Sequence, residues 1–433
     1  LSKARQQRQT LAGQARGGEM RHGRMIPQQE DVWYHHPMRI ALLAPFGLRV
    51  KGTARARTLP LARALVRHGH TAAVFIPPYD STEDAGQRWI DEGVEVINVS
   101  LPPGGQTAPW HWQLGWRLYQ AALQWRPHVV HAFKPKGPSG LAATLIWTRR
   151  RDARPRLVVD SDDWEGPGGW NDNPTAGYSE GQKRFFAWQE RFGLSHADAW
   201  TVTSQCLAER ATGFGAGAVH VLHNGVESSS RAAGNRTPPP DSAVSPAHED
   251  PGSIPPSVVL YTRFAGTRPD DVAAIWRRVR ELEPGAMLAV IGRGASGEER
   301  SLALLPGIEV KGWLPAEEIH GALQQAALAI APWENTAANR ARHSAKILEL
   351  MASGVPVVAT RVGEMPTTLG ETGVLVAPGD IEGFARAIVD LLHHRPRCAE
   401  LGAAASRRVR EHFNWDVLAG VALAAYATPS RRT

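Results

Sequence analysis

The sequence predicts an α/β protein built on parallel sheets, and three observations carry that prediction. Short, nearly unbroken apolar runs recur along the chain, as in MRIALLAP at 38–45 and HVVHAF at 128–133, and helical spacing follows them. Strands buried on both faces read this way, rather than as alternating patterns. Residues 345–380 (AKILELMASGVPVVATRVGEMPTTLGETGVLVAPGD) set out a helix, a buried strand, a Gly-bearing loop and a second strand in order. That order makes part of a Rossmann-like layer, whose ligands bind at the carboxyl ends of the strands. Finally, 433 residues suffice for two domains with full cores, and a stretch at 228–257 rich in Pro, Ser, Ala and Gly divides them.

Bulk composition narrows the function. Cys206 and Cys398 are the two cysteines, too few for a disulfide framework or a cysteine metal site, and they fit a reducing cytoplasm. No apolar run approaches the ~20 residues that span a bilayer. The net charge of +7 suits phosphorylated substrates, or peripheral contact with an anionic inner membrane face. No nucleic-acid motif accompanies the charge, so no specific nucleic-acid partner is expected.

The elements follow in order. Residues 1–37 are rich in Gln, Arg and Gly without apolar periodicity, and read as a disordered extension upstream of Met38. The first strand at 38–45 leads through a loop bearing Gly47 and Gly52 to a helix at 57–68. His70 reads as a structural helix-end residue. Strands follow at 72–76 and 94–99, then an aromatic helix at 110–125 whose Trp112, Trp116 and Tyr119 fit core packing. The fourth strand, 128–133, carries His131, with Lys134 just beyond its carboxyl end. The fifth, 156–160, runs into Ser161, Asp162, Asp163, Trp164 and Glu165, then glycines and Trp170. That concentration of carboxylates and indoles reads as a hydroxyl-binding site, a D-x-D metal site through Asp160 and Asp162, or a solvated acidic loop. A strand at 198–204 and a turn at Asn224-Gly225 close the first half. In the second half, strands at 258–261, 286–291 and 327–331 precede the 345–380 unit, and helices at 381–392 and beyond follow.

The 345–380 stretch resembles the nucleotide-sugar site of retaining GT-B glycosyltransferases of the family 4 (group 1) type. The likeness rests on Glu349, Ala352, the run GVPVVAT at 354–360 and Gly363. Arg263 fits the arginine of that family's G-R-x-x-x-x-K motif, with Arg268 at the lysine. Gly292 sits in its I-V-G-x-G turn, and Gly312 and Trp313 in the loop that cups the base. The resemblance implies two Rossmann-like domains facing a central cleft. They are a 38–227 acceptor domain, with a helix at about 412–427 packed back on it, and a 258–411 donor domain, joined by a flexible 228–257 linker. It implies transfer of a sugar from a nucleotide-diphosphate donor to a sugar, lipid, glycan or small-molecule acceptor with retained configuration. Neither metal nor cofactor is expected. By resemblance, His131, Arg263 and Arg268 act at the reacting centre. Gly47, Gly292, Gly312, Trp313, Ser344, Lys346, Ile347 and Glu349 bind the donor. Lys134, Asp162, Asp163 and Trp164 bind the acceptor. Ala341 stands where the family's first glutamate belongs, and Thr262 where a glycine does. These departures keep two alternatives open, a GT-B epimerase and a degenerate nucleotide-sugar-binding module.

Overall fold

The computed structural model describes residues 36–49, 52–172, 176–227 and 257–429. The expectations for 1–35 and for most of the 228–257 linker lie outside the described residues.

Fourteen strands among the described residues form two sheets. In the first, β1 (Arg39–Leu43), β2 (Thr71–Ile76), β3 (Arg88–Asp91), β4 (Val94–Asn98), β5 (Val129–Phe133), β6 (Arg156–Ser161), β7 (Ala199–Val202) and β8 (Val219–Val221) lie in the order β3-β4-β2-β1-β5-β6-β7-β8. All neighbours are parallel except β3, which pairs antiparallel with β4. The second sheet holds β9 (Ser257–Tyr261), β10 (Met287–Ile291), β11 (Ile308–Gly312), β12 (Leu328–Ala331), β13 (Val357–Thr360) and β14 (Val374–Val376), in the order β11-β10-β9-β12-β13-β14. Its pairs are parallel throughout.

The apolar runs form the central strands because both faces are covered. Ile40 and Leu42 pack with the helix Leu59–Arg67 on one face of the first sheet, while Ala41 and Leu43 face Leu114 and Leu118 on the other. Helix Trp415–Ala427 belongs to this first core through Trp415, Leu418, Leu423 and Tyr426, although it follows the second sheet in sequence. Asn414 caps it by accepting from the Val417 N–H at 2.9 Å. Helix Ala345–Ala352 ends at Gly354, whose φ of 75° suits the left-handed position that lets the chain turn into β13.

Several elements differ from the sequence reading: β8 was not assigned as a strand, and β11 runs through Gly312, where a base-cupping loop was expected. Strand β3 was not expected; it is a short polar-rich edge strand in a hairpin, with Ile90 exposed, so burial left no pattern to read. Trp112 and Trp116 are not core residues. The helix Ala108–Gln124 buries Trp110, Leu114, Leu118 and Tyr119, and its 3.6-residue period turns Trp112 and Trp116 outward, 50% and 47% exposed.

Candidate active site

Carboxyl ends of both sheets contribute to one cleft. Its inner part, about 260 Å³, is walled by Thr53, Arg57, Asp162, Asp163 and Trp170 from the first half, and by Tyr261, Arg263, Trp333 and residues 342–347 from the second. It adjoins a larger cavity of about 1080 Å³ on the first-sheet side, which Asp163, Trp170, Gly52, Thr53 and Arg263 also line. Polar contacts tie the halves beside it. Ser204 Oγ donates to the Ala341 carbonyl at 2.6 Å, Gln205 N–H to Glu364 at 2.7 Å, and Asn224 N–H to His343 Nδ1 at 3.1 Å.

The first wall is a network of satisfied charges. Arg57, 1% exposed, grips Asp160 through Nε at 2.8 Å and a terminal nitrogen at 2.6 Å, and also donates to the carbonyls of Leu222 and His223. Lys134 Nζ lies 2.9 Å from Asp163, 2.9 Å from Glu165 and 3.4 Å from Asp162. Burial alone would lower this lysine's pKa, but the three carboxylates outweigh it and hold it well above the ordinary value. Asp162 also accepts from Thr53 Oγ1 at 2.8 Å. The predicted Lys134, Asp162 and Asp163 are therefore brought together at the cleft. Asp160 and Asp162 do not converge as a D-x-D pair, because Asp160 is turned inward to Arg57. Among the described residues no group of three or more His, Cys, Asp or Glu side chains is placed to hold a metal ion.

The second wall is cationic and short of carboxylates. Arg342 stacks its guanidinium 3.8 Å from the Trp333 ring centre and donates to the Ala265 carbonyl at 2.9 Å, while its buried Nε has no partner. Burial lowers its pKa to about 10 despite the pull of Asp163. Lys346 Nζ sits 3.6 Å over the Tyr261 ring. Burial brings its pKa down to about 8, with Glu349 opposing and Arg263 reinforcing the shift. Arg263 itself lies 5.2 Å over the Trp313 ring, at the junction of both cavities. Buried His343 has Nδ1 occupied by Asn224 and Nε2 without a partner, so burial keeps it neutral. Ser344 and Ile347 line the same wall.

Several predicted site residues are elsewhere. His131 is fully buried in β5 and does not reach the cleft. Thr201 Oγ1 donates to Asp160 at 2.6 Å, so it accepts from His131 Nε2 at 2.9 Å, and His131 Nδ1 accepts from the Tyr426 hydroxyl at 2.8 Å. Both nitrogens are consumed in the core. Trp164 is also core: its indole N–H donates to the Pro167 carbonyl, and its ring stacks on Phe214 and under Arg210. Trp170 lines the cleft instead. Arg268 precedes the helix Pro269–Leu282, 3.7 Å from Asp270, in a separate depression that Trp333 also borders. Gly47 donates to Asp80 at 2.8 Å, and a Cβ there would strike Ser81. It braces a loop rather than admitting a ligand. Gly292 has φ 114°, and a Cβ there would strike the Thr262 carbonyl, so its need for glycine is internal. Gly312 borders a third depression, with Arg293, and Trp313 is 58% exposed. Glu349 is exposed, near enough to the Tyr261 hydroxyl to raise its pKa, on the edge of a depression lined by Arg55 and Arg63.

Trp170, read within the carboxylate- and indole-rich loop, does line the cleft, whereas sequence reasoning gave no role to the side chains of Arg342 and His343. The signal was the segment RARHSAK at 340–346, which has three cationic residues and a histidine directly before a helix that packs on the sheet. Ala341 is fully buried beneath Ser204, so the residue after it faces the cleft.

Comparison with known proteins agrees with this geometry. Residues 52–225 match the Glycosyl transferase 4-like domain, and 256–394 match Glycosyl transferases group 1. The chain belongs to the group 1 glycosyl transferases. It is 23% identical over 403 residues to a glycogen synthase of Mycobacterium tuberculosis, covering 86% of this chain and 90% of that one. Sucrose-phosphate synthase from Thermosynechococcus elongatus superimposes with TM-score 0.64 at 18% identity, over 88% of this chain and 96% of the other. The catalytic domain of starch synthase IV from Arabidopsis thaliana, bound to ADP and acarbose, gives 0.63 at 14%, over 90% and 99%. The architecture is therefore GT-B, two Rossmann-like domains about a cleft, and the enzyme is a glycosyltransferase.

Proposed function

We propose that this glycosyltransferase holds a nucleotide-diphosphate sugar on the second-sheet wall and an acceptor in the 1080 Å³ cavity on the first-sheet side. It moves the sugar with retention of configuration. The observation that carries the reading is the imbalance between the walls. Lys134, Asp162, Asp163 and Glu165 satisfy one another, whereas Arg263, Arg342 and Lys346 present positive charge to the cleft, with Glu349 opposing at Lys346 and Asp163 at Arg342. A diphosphate supplies the missing negative charge and is stabilised most when it leaves. Arg342, the guanidinium on this wall with an unpartnered nitrogen, takes the second cationic position in place of Arg268. Glu349 and Tyr261 then face the ribose side, and the base lies toward Gly312 and Trp313.

The acceptor hydroxyl must give up its proton as the new bond forms; because Asp162, Asp163 and Glu165 are spent on Lys134 and Lys136, the departing diphosphate takes it. The family matches are to transferases, which does not favour the epimerase alternative. The ADP held by starch synthase IV supports a nucleotide in a cleft of this architecture. The test is thermal stabilisation of the purified chain by UDP, GDP, ADP and dTDP, with Arg263→Ala and Arg342→Gln alongside. Each variant should lose roughly ten- to a hundredfold in nucleotide affinity, the worth of a charge-assisted hydrogen bond. Stabilisation by no nucleotide would sink the donor assignment, and stabilisation without turnover would favour the degenerate-module alternative. Product anomers read by NMR decide retention.

A further inference from the structure

Helix Glu180–Gly193 is packed the wrong way round for an ordinary amphipathic helix. Its buried residues are Gln189, Glu190 and Gly193. Gln189 accepts from the Gly137 N–H at 2.8 Å and donates to its carbonyl at 3.1 Å, and Glu190 accepts from the Glu165 N–H at 3.0 Å. Polar anchoring thus fixes the inner face, and the aromatic face is half-buried at Phe185 and at Phe192, which stacks on His196, and exposed at Trp188. Phe185, Trp188 and Phe192 follow at helical spacing, with ring centres 5.8 Å and 5.4 Å apart, and Trp188 is 45% exposed. Trp112 of the neighbouring helix, half exposed, lies 6.3 Å from Phe185. Trp112 and Trp188 thus leave about half of their apolar surface in water, which is unfavourable when nothing else covers it.

The strip is continuous with the larger cavity. Trp112, Phe185 and Phe186 line that cavity, and the strip leaves it through Trp188 toward Phe192. At the inner end Lys136 Nζ sits 4.8 Å over Phe186 and 2.8 Å from Glu165. Along 181, 185, 188 and 192 the outward face is Gly, Phe, Trp and Phe; the hydroxyl and amide groups of Tyr178, Gln106 and Gln182 line the cavity at its inner end rather than the stretch from Trp188 to Phe192. A glycan chain needs such partners beside its stacking surface, whereas a hydrocarbon chain needs only unbroken apolar area.

We infer that the strip Trp112, Phe185, Trp188 and Phe192 binds the hydrocarbon chain of an amphiphilic acceptor whose polar head occupies the cavity beside Lys134 and Lys136. The inference rests on the reading of that cavity as the acceptor side. The probes are n-alkyl β-D-glucosides from hexyl to decyl, each below its micelle concentration, titrated calorimetrically into the full chain. Affinity should rise roughly two- to fourfold for each added methylene. Trp188→Ser, at a half-exposed position outside the cavity lining, should flatten that dependence while nucleotide stabilisation stays as in the wild type. A flat series in the wild type overturns the inference. So does a series equally steep in Trp188→Ser, preferential binding of maltoheptaose, or self-association that Trp188→Ser abolishes. Loss of nucleotide stabilisation alone, with the chain-length series intact, would instead sink the donor assignment and leave the strip in place.

Discussion

Raising the pH should loosen the cleft's hold on a nucleoside diphosphate through Lys346. Burial lowers this lysine, Glu349 pulls it up, and Arg263 lowers it again, leaving it at about 8. Without ligand it is charged below about pH 8 and neutral above. A diphosphate in contact restores the ammonium, so binding above pH 8 takes up a proton. Affinity is then nearly flat below pH 7 and falls by up to tenfold per pH unit above 8. Between pH 7 and 9 the fall is about tenfold, or about 1.4 kcal/mol. The terminal phosphate, with its second pKa near ~6, is already ionised across this range and does not offset the effect. The assay is calorimetric titration of the selected nucleotide at pH 7, 8 and 9. Lys346→Arg keeps the charge at all three and should bind with little pH dependence. Lys346→Met should be equally flat but weaker. A tenfold fall that persists in both variants would assign the titration to another group and refute the reasoning.

Arg57→Leu should lose about 3–5 kcal/mol of stability, because it strands the buried Asp160 carboxylate, and Asp160→Leu added to it should recover most of the loss. Urea midpoints measure both, and a single-variant loss under about 1 kcal/mol would mean the pair is solvated. Burial, reinforced by Arg57, holds His131 well below its ordinary value, so the unfolded chain takes up the proton first as pH falls. Stability should be constant above about pH 6.5 and decline below it, by up to about 1.4 kcal/mol per pH unit for this group. Thermal melts of His131→Asn should show a shallower acid decline with unchanged nucleotide binding; a steeper dependence of nucleotide affinity on this substitution would return His131 to the site. Because three side-chain cations supply the charge a divalent ion would bring, turnover should survive EDTA, and loss restored by Mg²⁺ would contradict that account.

The sheets were legible because parallel strands buried on both faces leave an unmistakable sequence record. MRIALLAP at 38–45 and the run at 354–360 could be read without neighbours. The cleft positions of Lys346 and Ser344 were legible, since both stand at the start of a helix whose apolar spacing fixes its register against the sheet. Residues whose direction depends on a partner were not legible. His131 lies at the right strand end, yet Tyr426, almost three hundred residues away, and Thr201 claim its nitrogens. Arg268 has the right spacing, but the turn at Phe264 and Gly266, both at positive φ, carries it to the far side of Trp333.

The sequence by itself determined the α/β class, the two parallel layers, the family and the general kind of chemistry, because periodicity, helix ends and glycine-bearing turns are local. Tertiary structure decided which charges are already spent. Lys134 is neutralised by three carboxylates and Asp160 by Arg57, while Arg342 and Lys346 face the cleft from a wall poor in carboxylates. It also decided that Trp112 and Trp188 stand outside rather than in the core. Charge compensation and exposure depend on segments distant in sequence arriving within a few ångströms, and no local pattern encodes that distance.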